Sequence, residues 1–521
     1  MNNKVRDALF LLMCFTLIFN IVPKPLQMPF IGGPLGTKLV FYPVVLGMLY
    51  TLYCQCKYGN IIIEFDKVKK YVAIYLGVTM LSLIVGLYTY PYYDLILAGP
   101  KDQIEKLPKV LAFLNGHGID VTYKQLLSLW MLGRPVKGLI LDVFYSIGTA
   151  YMIFCWYIRD WRRGFDICAL SVLGAMVPIC IYNVLEIGYL LGNNSATDVL
   201  KVITPYCHQL NINGTWHPPL LWPNQMRSLF AEPSHFGMYL AFCLPFLWYK
   251  ALNSSKRKMY IILTILMIFF LFLTKARTAF MLHVGELGIF FLLVCCLHQK
   301  KLWKKIIVIT CCSFVAFICS NMFMSTYMNS KTSVNKSVDW TSVSTSMPNY
   351  IDSNAASLVN PDKRSNRARY SIMEADFKIG LSHPLLGVGK GLRNAYIPDY
   401  FSEKAFQDSE VKMWFRFREK LGLMKFSFPM LGEYTGRFAE TGLLGLIIFF
   451  APAFLVIVAF FRKINFAHGD EQIQYIVTLI SLCGIMATGI GDGINTTWCY
   501  WVLLGLGYAM CFGKDEKKEI E

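Results

Sequence analysis

The sequence predicts an all-α, polytopic transmembrane helical bundle of about twelve spans. Three observations lead there. Of 521 residues, 55% are hydrophobic and 16% are charged, which is less charge than a soluble domain carries. Apolar runs approaching the roughly 20 residues that cross a bilayer core recur along the chain. Alternate links between these runs hold clusters of lysine and arginine, the pattern that orients membrane spans. Much of the net charge of +17 therefore sits in cytoplasmic links, and no nucleic-acid partner is expected.

The expected spans are 7–22, 38–54, 69–89, 136–158, 166–191, 236–250, 259–273, 277–297, 306–324, 437–461, 472–489 and 494–512. The first follows Lys4 and Arg6 as a signal peptide would. It lacks a small-residue cleavage site and runs into Pro23, Lys24 and Pro25, so it reads as a retained span. Basic clusters at Lys57–Lys70, Arg159–Arg163, Lys250–Lys258, Lys300–Lys305, Arg462–Lys463 and Lys514–Lys518 all fall on one side. That side is the cytoplasm by the positive-inside rule, which puts both termini inside. No soluble domain is expected before or after the array. Sixteen cysteines lie mostly in apolar runs and act as small apolar residues. Cys207 is expected in an outward loop, and Cys54 with Cys56 is a weak zinc signal.

Residues 1–324 thus hold nine spans, 325–436 form a large outward loop, and 437–521 hold three more spans and a tail. The other outward segments are 90–135 and 192–235. The long loop opens with a polar stretch, Ser325 to Asn360, and then becomes periodic. Tyr370, Met373, Phe377 and Ile379 predict an amphipathic helix over about 364–380, and a second helix is expected from Trp414 to Leu421. The loop is basic, with Arg364, Arg367, Arg369, Arg393, Arg416 and Arg418.

Four places carry candidate chemistry. Lys275 and Arg277 lie in a short outward link that should be poor in basic residues; snorkelling to headgroups or an anion clamp explains them. Arg227 precedes Glu232 and Pro233, which open span six, and a helix start facing outward binds anions. The stretch His383-Pro384-Leu385-Leu386-Gly387-Val388-Gly389-Lys390-Gly391 allows close backbone approach. Glu433, Arg437 and Glu440 share one face at the opening of span ten. Asp142, Glu186 and Glu440 fall in the outer halves of their spans, and His283 with Glu286 lies deeper; ionisable groups in spans are functional candidates by default.

At these residues the chain resembles the O-antigen polymerase and O-antigen ligase superfamily. Arg227 to Gly237 is similar to its arginine–glutamate–proline span opening, and Leu273 to Ala279 to its threonine–x–x–arginine link. His383 to Gly391 is similar to its His-Pro-Leu-x-Gly-x-Gly stretch, and Ala439 to Leu446 to its Glu-x-Gly-x-x-Gly span. The resemblance covers about residues 220–450 and implies a C-type glycosyltransferase-like membrane fold in a bacterial inner membrane. It implies a repeat-unit polymerase for O-antigen, capsule or exopolysaccharide, using undecaprenyl-pyrophosphate-linked oligosaccharide without metal or cofactor. Membrane lipids, a chain-length regulator and a flippase are the implied partners. In this picture Arg227, Arg277 and Arg437 hold or neutralise the pyrophosphate, with Lys275, His383, Arg369 and Glu440 as further substrate contacts. Glu433 or Glu232 takes the acceptor proton. Ligases of the superfamily place a histidine shortly before the Glu-x-Gly span, where this chain has Leu431-Gly432-Glu433-Tyr434. A ligase-type transferase and a flippase or other transporter are the alternatives; the long structured loop speaks against alternating access.

Overall fold

A helix lies in each of the ranges read as spans. The computed structural model describes residues 1–207, 225–331, 364–495 and 497–513. Its helices are α1 (Asn3–Thr16), α2 (Phe41–Tyr58), α3 (Phe65–Tyr88), α4 (Tyr123–Tyr157), α5 (Trp161–Leu190), α6 (Asn194–Cys207), α7 (Pro233–Asn253) and α8 (Arg257–Leu273). They continue with α9 (Arg277–Leu297), α10 (Lys300–Lys331), α11 (Arg364–Ser382), α12 (Arg393–Tyr400), α13 (Ser409–Leu421), α14 (Glu433–Phe466), α15 (Gly469–Thr488) and α16 (Trp498–Phe512). Seven of the described helices are long and apolar enough to cross a membrane: α3, α4, α5, α9, α10, α14 and α15. The chain is a multi-pass membrane protein. The tail lysines Lys514, Lys517 and Lys518, and most of Ser325–Asn360, lie outside the described residues.

Helix α4 starts well before the expected residue 136. Thr122 and Gln125 form a capping box: the Gln125 backbone N–H donates to Thr122 Oγ1 at 3.3 Å, and Gln125 Oε1 accepts from the Thr122 N–H at 2.9 Å. That reciprocal satisfaction of two orphan donors starts the helix, and Pro135 is accommodated inside it. The outward segment after α3 is correspondingly shorter. Cys207 is buried at the end of α6, which is no open loop.

The segments beyond the spans have a core of their own. Leu87, Tyr93 and Ile96 pack with Leu127 and Met131 of α4, and with Ile372, Ile397, Trp414 and Phe428 of the long loop. Gln103 ties the two segments, donating to the Ile96 carbonyl at 2.8 Å and accepting from the Met424 N–H at 3.1 Å. The expected amphipathic helix exists as α11, but its phase differs. Its buried stripe is Ala368, Ile372, Ala375 and Ile379, facing α14, while Tyr370 and Phe377 are partly exposed. The spacing of those four follows the helical repeat, and small alanines let α11 approach α14 closely. The bulky aromatics marked the wrong stripe.

One break organises this layer. Gly442 interrupts α14 at φ 63° and ψ −168°, a backbone region essentially reserved for glycine. The carbonyls of Ala439 and Glu440, which would serve the helix, accept instead from the N–H groups of Val388 and Gly389, both at 2.9 Å. The N–H groups of Leu443 and Leu444 donate to the carbonyls of Pro384 and Leu385, at 2.8 and 3.3 Å. Loop 384–391 is thereby sewn into the broken helix. A Cβ on Gly442 would lie 2.3 Å from the Leu385 carbonyl. Gly442→Ala is expected to destabilise the protein by at least about 2 kcal/mol, read as a lower thermal midpoint of the purified protein in detergent; an unchanged midpoint would show that the loop pairing is dispensable.

Candidate functional site

The break draws charged groups together. Lys390, at the end of the sewn loop, lies 3.7 Å from Glu440 and 4.0 Å from Asp142 of α4. Glu440 Oε1 also accepts from the Gly391 N–H at 3.0 Å. Burial disfavours the Lys390 charge, but Glu440, Tyr75 and Asp142 outweigh it and raise its pKa. Three helices and the loop therefore meet at one ammonium.

Glu433 and Arg437, one turn apart, are buried as a pair. Arg437 also donates to the Tyr75 hydroxyl at 3.3 Å and covers the Phe449 ring at 3.3 Å. The second Glu433 oxygen accepts from the Asn495 N–H at 3.2 Å, while the Glu433 N–H donates to the carbonyls of Gly489 and Asp492. Both carboxylate oxygens of Glu433 are engaged, and the pair braces the start of α14 against the α15–α16 link. Arg369 reaches the same link, donating to the Gly491 carbonyl at 2.8 Å. Arg393 is likewise committed: it pairs with Asp376 of α11, both buried, and donates to the Pro429 carbonyl at 3.0 Å. Burial raises the Asp376 carboxyl and Arg393 opposes that shift. His383 supports its loop locally: its carbonyl accepts from the Gly387 N–H, Nδ1 lies 3.0 Å from Ser382 Oγ, and the ring packs on Tyr396.

A second group gathers where α7 and α9 begin. The two helices touch so closely that a Cβ on Gly237 would sit 2.3 Å from that of Ala279. Proline opens α7 at Pro233 after Glu232, and Arg277 opens α9. The chain before α7 is tied to the link before α9 through the Met226 N–H, which donates to the Leu273 carbonyl at 3.1 Å. Ser228 and Lys275 both hold left-handed backbone, at φ 57° and 50°; non-glycine residues adopt it at a cost, and such strain gathers at functional sites. Glu186 of α5 accepts from the backbone N–H groups of Arg227 (3.4 Å) and Ser228 (2.9 Å) and so shapes this turn.

The Arg227 side chain is fully enclosed beside Tyr182 and Glu186, with Nε and Nη2 unpartnered among the described residues. Burial works against its charge. The Lys275 ammonium is half-buried; burial lowers its pKa, and no carboxylate among the described residues offsets that. Glu232 is partly exposed and accepts from Ser234 Oγ at 3.4 Å. Deeper in the bundle, His283 Nε2 lies 2.9 Å from Ser313 Oγ and Glu286 packs on Gly484, far along α9 from its start.

Between the two groups runs a chain of side chains that no local motif announced. Lys38 donates to Asn20, Asn20 faces His235, and His235 faces Asp492 of the α15–α16 link. Among the described residues no group of His, Cys, Asp and Glu is placed to hold a metal ion.

The buried Asp376–Arg393 pair allows a direct test of the layer beyond the spans. Asp376→Ala leaves a buried unpaired guanidinium and is expected to cost about 3–5 kcal/mol, seen as loss of membrane-inserted protein or a lower unfolding midpoint. Adding Arg393→Met should recover part of it; no recovery would mean that the charge itself is not the cause.

None of the curated proteins matches the chain. Residues 262–416 match the family model described as O-antigen ligase. The matched segment runs from α8 through the Lys275–Arg277 link to the sewn loop and α13, and over those residues the chain is similar to the O-antigen ligase family.

Proposed function

We propose that this protein is a glycosyltransferase that moves a glycan from a polyprenyl-pyrophosphate carrier to a sugar hydroxyl, at the outer face of a bacterial inner membrane. One observation carries the reading: Lys275, half-buried with a disfavoured and unpaired charge, stands beside Arg277 at two adjoining helix starts. Helix N-termini present free N–H groups and a positive dipole end to an anion. A diphosphate would supply the counter-charge that Lys275 does not find among the described residues. It gains negative charge as the glycan leaves, and fixed cations there lower the barrier to transfer.

Lys275 and Arg277 take the diphosphate in this reading, and enclosed Arg227 shapes and charges the turn behind them. Arg437, paired with Glu433, and Arg369 hold the framework rather than the leaving group. Glu440 and His383 keep the sewn loop in place beside the glycan. The orientation with both termini in the cytoplasm follows from the basic links, and the chain-length regulator and flippase remain its proposed partners.

The matched family model favours the ligase form of the reaction, in which the acceptor is a different molecule from the donor. The polymerase form, expected from the sequence, is supported by Leu431-Gly432-Glu433-Tyr434 standing where ligases of the superfamily place a histidine. The test is the surface glycan of cells carrying Lys275→Ala or Arg277→Ala, run on a gel. Loss of one clamping charge should lower transfer about 10²–10³-fold. A ligase then loses all attached glycan while lipid-linked polymer accumulates, whereas a polymerase leaves single attached units. Unchanged attachment and chain length in both variants would sink the clamp.

A further inference from the structure

We infer that His235 is the proton acceptor of this transfer, held for that task by Asp492 and Asn20. The inference rests on the transfer reading and adds to it the group that activates the acceptor hydroxyl. His235 sits on the first turn of α7, two residues past Pro233, at the same helix start that adjoins Arg277. Its ring lines a cavity of about 170 Å³ together with Asn20, Lys38, Asp492 and Thr497. Those residues come from three separate parts of the chain: the α1–α2 connection, α7 and the α15–α16 link.

The chemistry of the partners fixes the tautomer. A lysine ammonium only donates, so Asn20 must turn its carbonyl oxygen toward Lys38. That leaves the Asn20 amide N–H to donate to His235 Nδ1, at 3.5 Å. Nδ1 therefore carries the lone pair, and Nε2 carries the hydrogen, directed at Asp492 Oδ2 3.7 Å away. The other Asp492 oxygen accepts from the Gly493 N–H at 2.7 Å. Burial raises the Asp492 carboxyl, but His235, Gly493 and Arg369 outweigh it and hold its pKa below the usual value. The imidazole thus has an anion behind it and a basic nitrogen in front. Both of its contacts are long, as catalytic hydrogen bonds often are before substrate tightens them.

The carboxylates nearby are poorer candidates. Glu433 has both oxygens engaged, and Glu440 is held by Gly391 and Lys390. Glu232 lies partly exposed without an orienting partner beyond Ser234. The groups facing His235 are Asp492 and, behind it, Arg369; Lys38 through Asn20; Tyr239 and Cys499 in the cavity wall; and Glu232 on its own helix start.

In the step, the acceptor hydroxyl displaces the Asn20 amide at Nδ1. Its oxygen forms the new bond to the anomeric carbon while its proton passes to Nδ1. The bond from that carbon to the phosphate oxygen breaks, and its electron pair leaves with the polyprenyl pyrophosphate at Lys275 and Arg277. The imidazolium so formed is neutralised by Asp492, which is a positioning residue, as is Asn20.

The test uses the full chain in proteoliposomes, with lipid-linked glycan extracted from a strain that lacks this protein, and follows transfer between about pH 5 and 9. The unaltered protein should lose rate toward acid pH. His235→Gln should transfer about 10²–10⁴-fold more slowly, without that acid limb, and with little change in KM for the lipid-linked glycan. Asp492→Asn should move the limb to lower pH, since removing the anion favours the neutral imidazole. His235→Gln working within about threefold of the unaltered protein, or keeping its acid limb, overturns the inference. If His235→Gln does not accumulate in membranes, the Asp492→Asn profile decides alone, and an unmoved limb overturns it. Lys275→Ala in the same assay separates the two readings: slow Lys275→Ala with normal His235→Gln retains the transfer reading and removes His235 from it, whereas no transfer by the unaltered protein overturns both.

Discussion

The pairing of loop 384–391 with the break at Gly442 is the constraint on which the layer beyond the spans depends. A helix in apolar surroundings cannot leave backbone groups unpaired, because each costs several kcal/mol there. The break removes two helical hydrogen bonds, those between Ala439 and Leu443 and between Glu440 and Leu444, and the loop returns four. Ser82 of α3 adds to the joint, donating to the carbonyls of both Leu386 and Glu440. The same joint carries Lys390 to Glu440 and Asp142 and presses the Val388 carbonyl onto Gly86 of α3. Position of the long loop is thus set by backbone chemistry, and side-chain charges follow.

Charged groups here fall into two kinds. Arg437 with Glu433, and Arg393 with Asp376, are buried, mutually paired and further bonded to carbonyls or a tyrosine. Buried pairs of this sort add little net stability, but losing one partner costs much, so they specify how the parts fit. Lys275, His235 and Glu232 are held loosely at the neighbouring helix starts. Chemistry needs groups that a substrate can recruit, and a group saturated by the protein is not available. That contrast shifts the weight of the candidate site from Arg437 of α14 to the paired starts of α7 and α9.

The all-α, multi-span architecture was legible in the sequence because long apolar runs are strong, local signals. The helix start at Pro233, the link at Lys275–Arg277 and the glycine-rich loop were legible for the same reason: each is a short run of residues with unusual backbone or charge. The phase of α11 was not, because aromatic residues drew the stripe and the true contact is made by alanines and isoleucines. Asp492, Lys38 and Asn20 were not, since each is an ordinary polar residue in its own segment. Only the meeting of distant segments, with Asn20 read as a bridge between Lys38 and His235, turns them into a chain.

The location of that chain follows from the solvent. Non-helical backbone at membrane depth survives only where it is buried in protein or lines a polar cavity. Here irregular stretches meet: the chain before α7 touches the end of α8 through Met226 and Leu273, the first turn of α7 faces the α15–α16 link through His235 and Asp492, and the start of α14 joins that link through Glu433 and Gly489. The convergence leaves helix starts, the cations Lys275 and Arg277 and an oriented imidazole in one neighbourhood, the setting in which the proposed amphiphile with a charged head and a membrane-bound tail would be held while its head reacts.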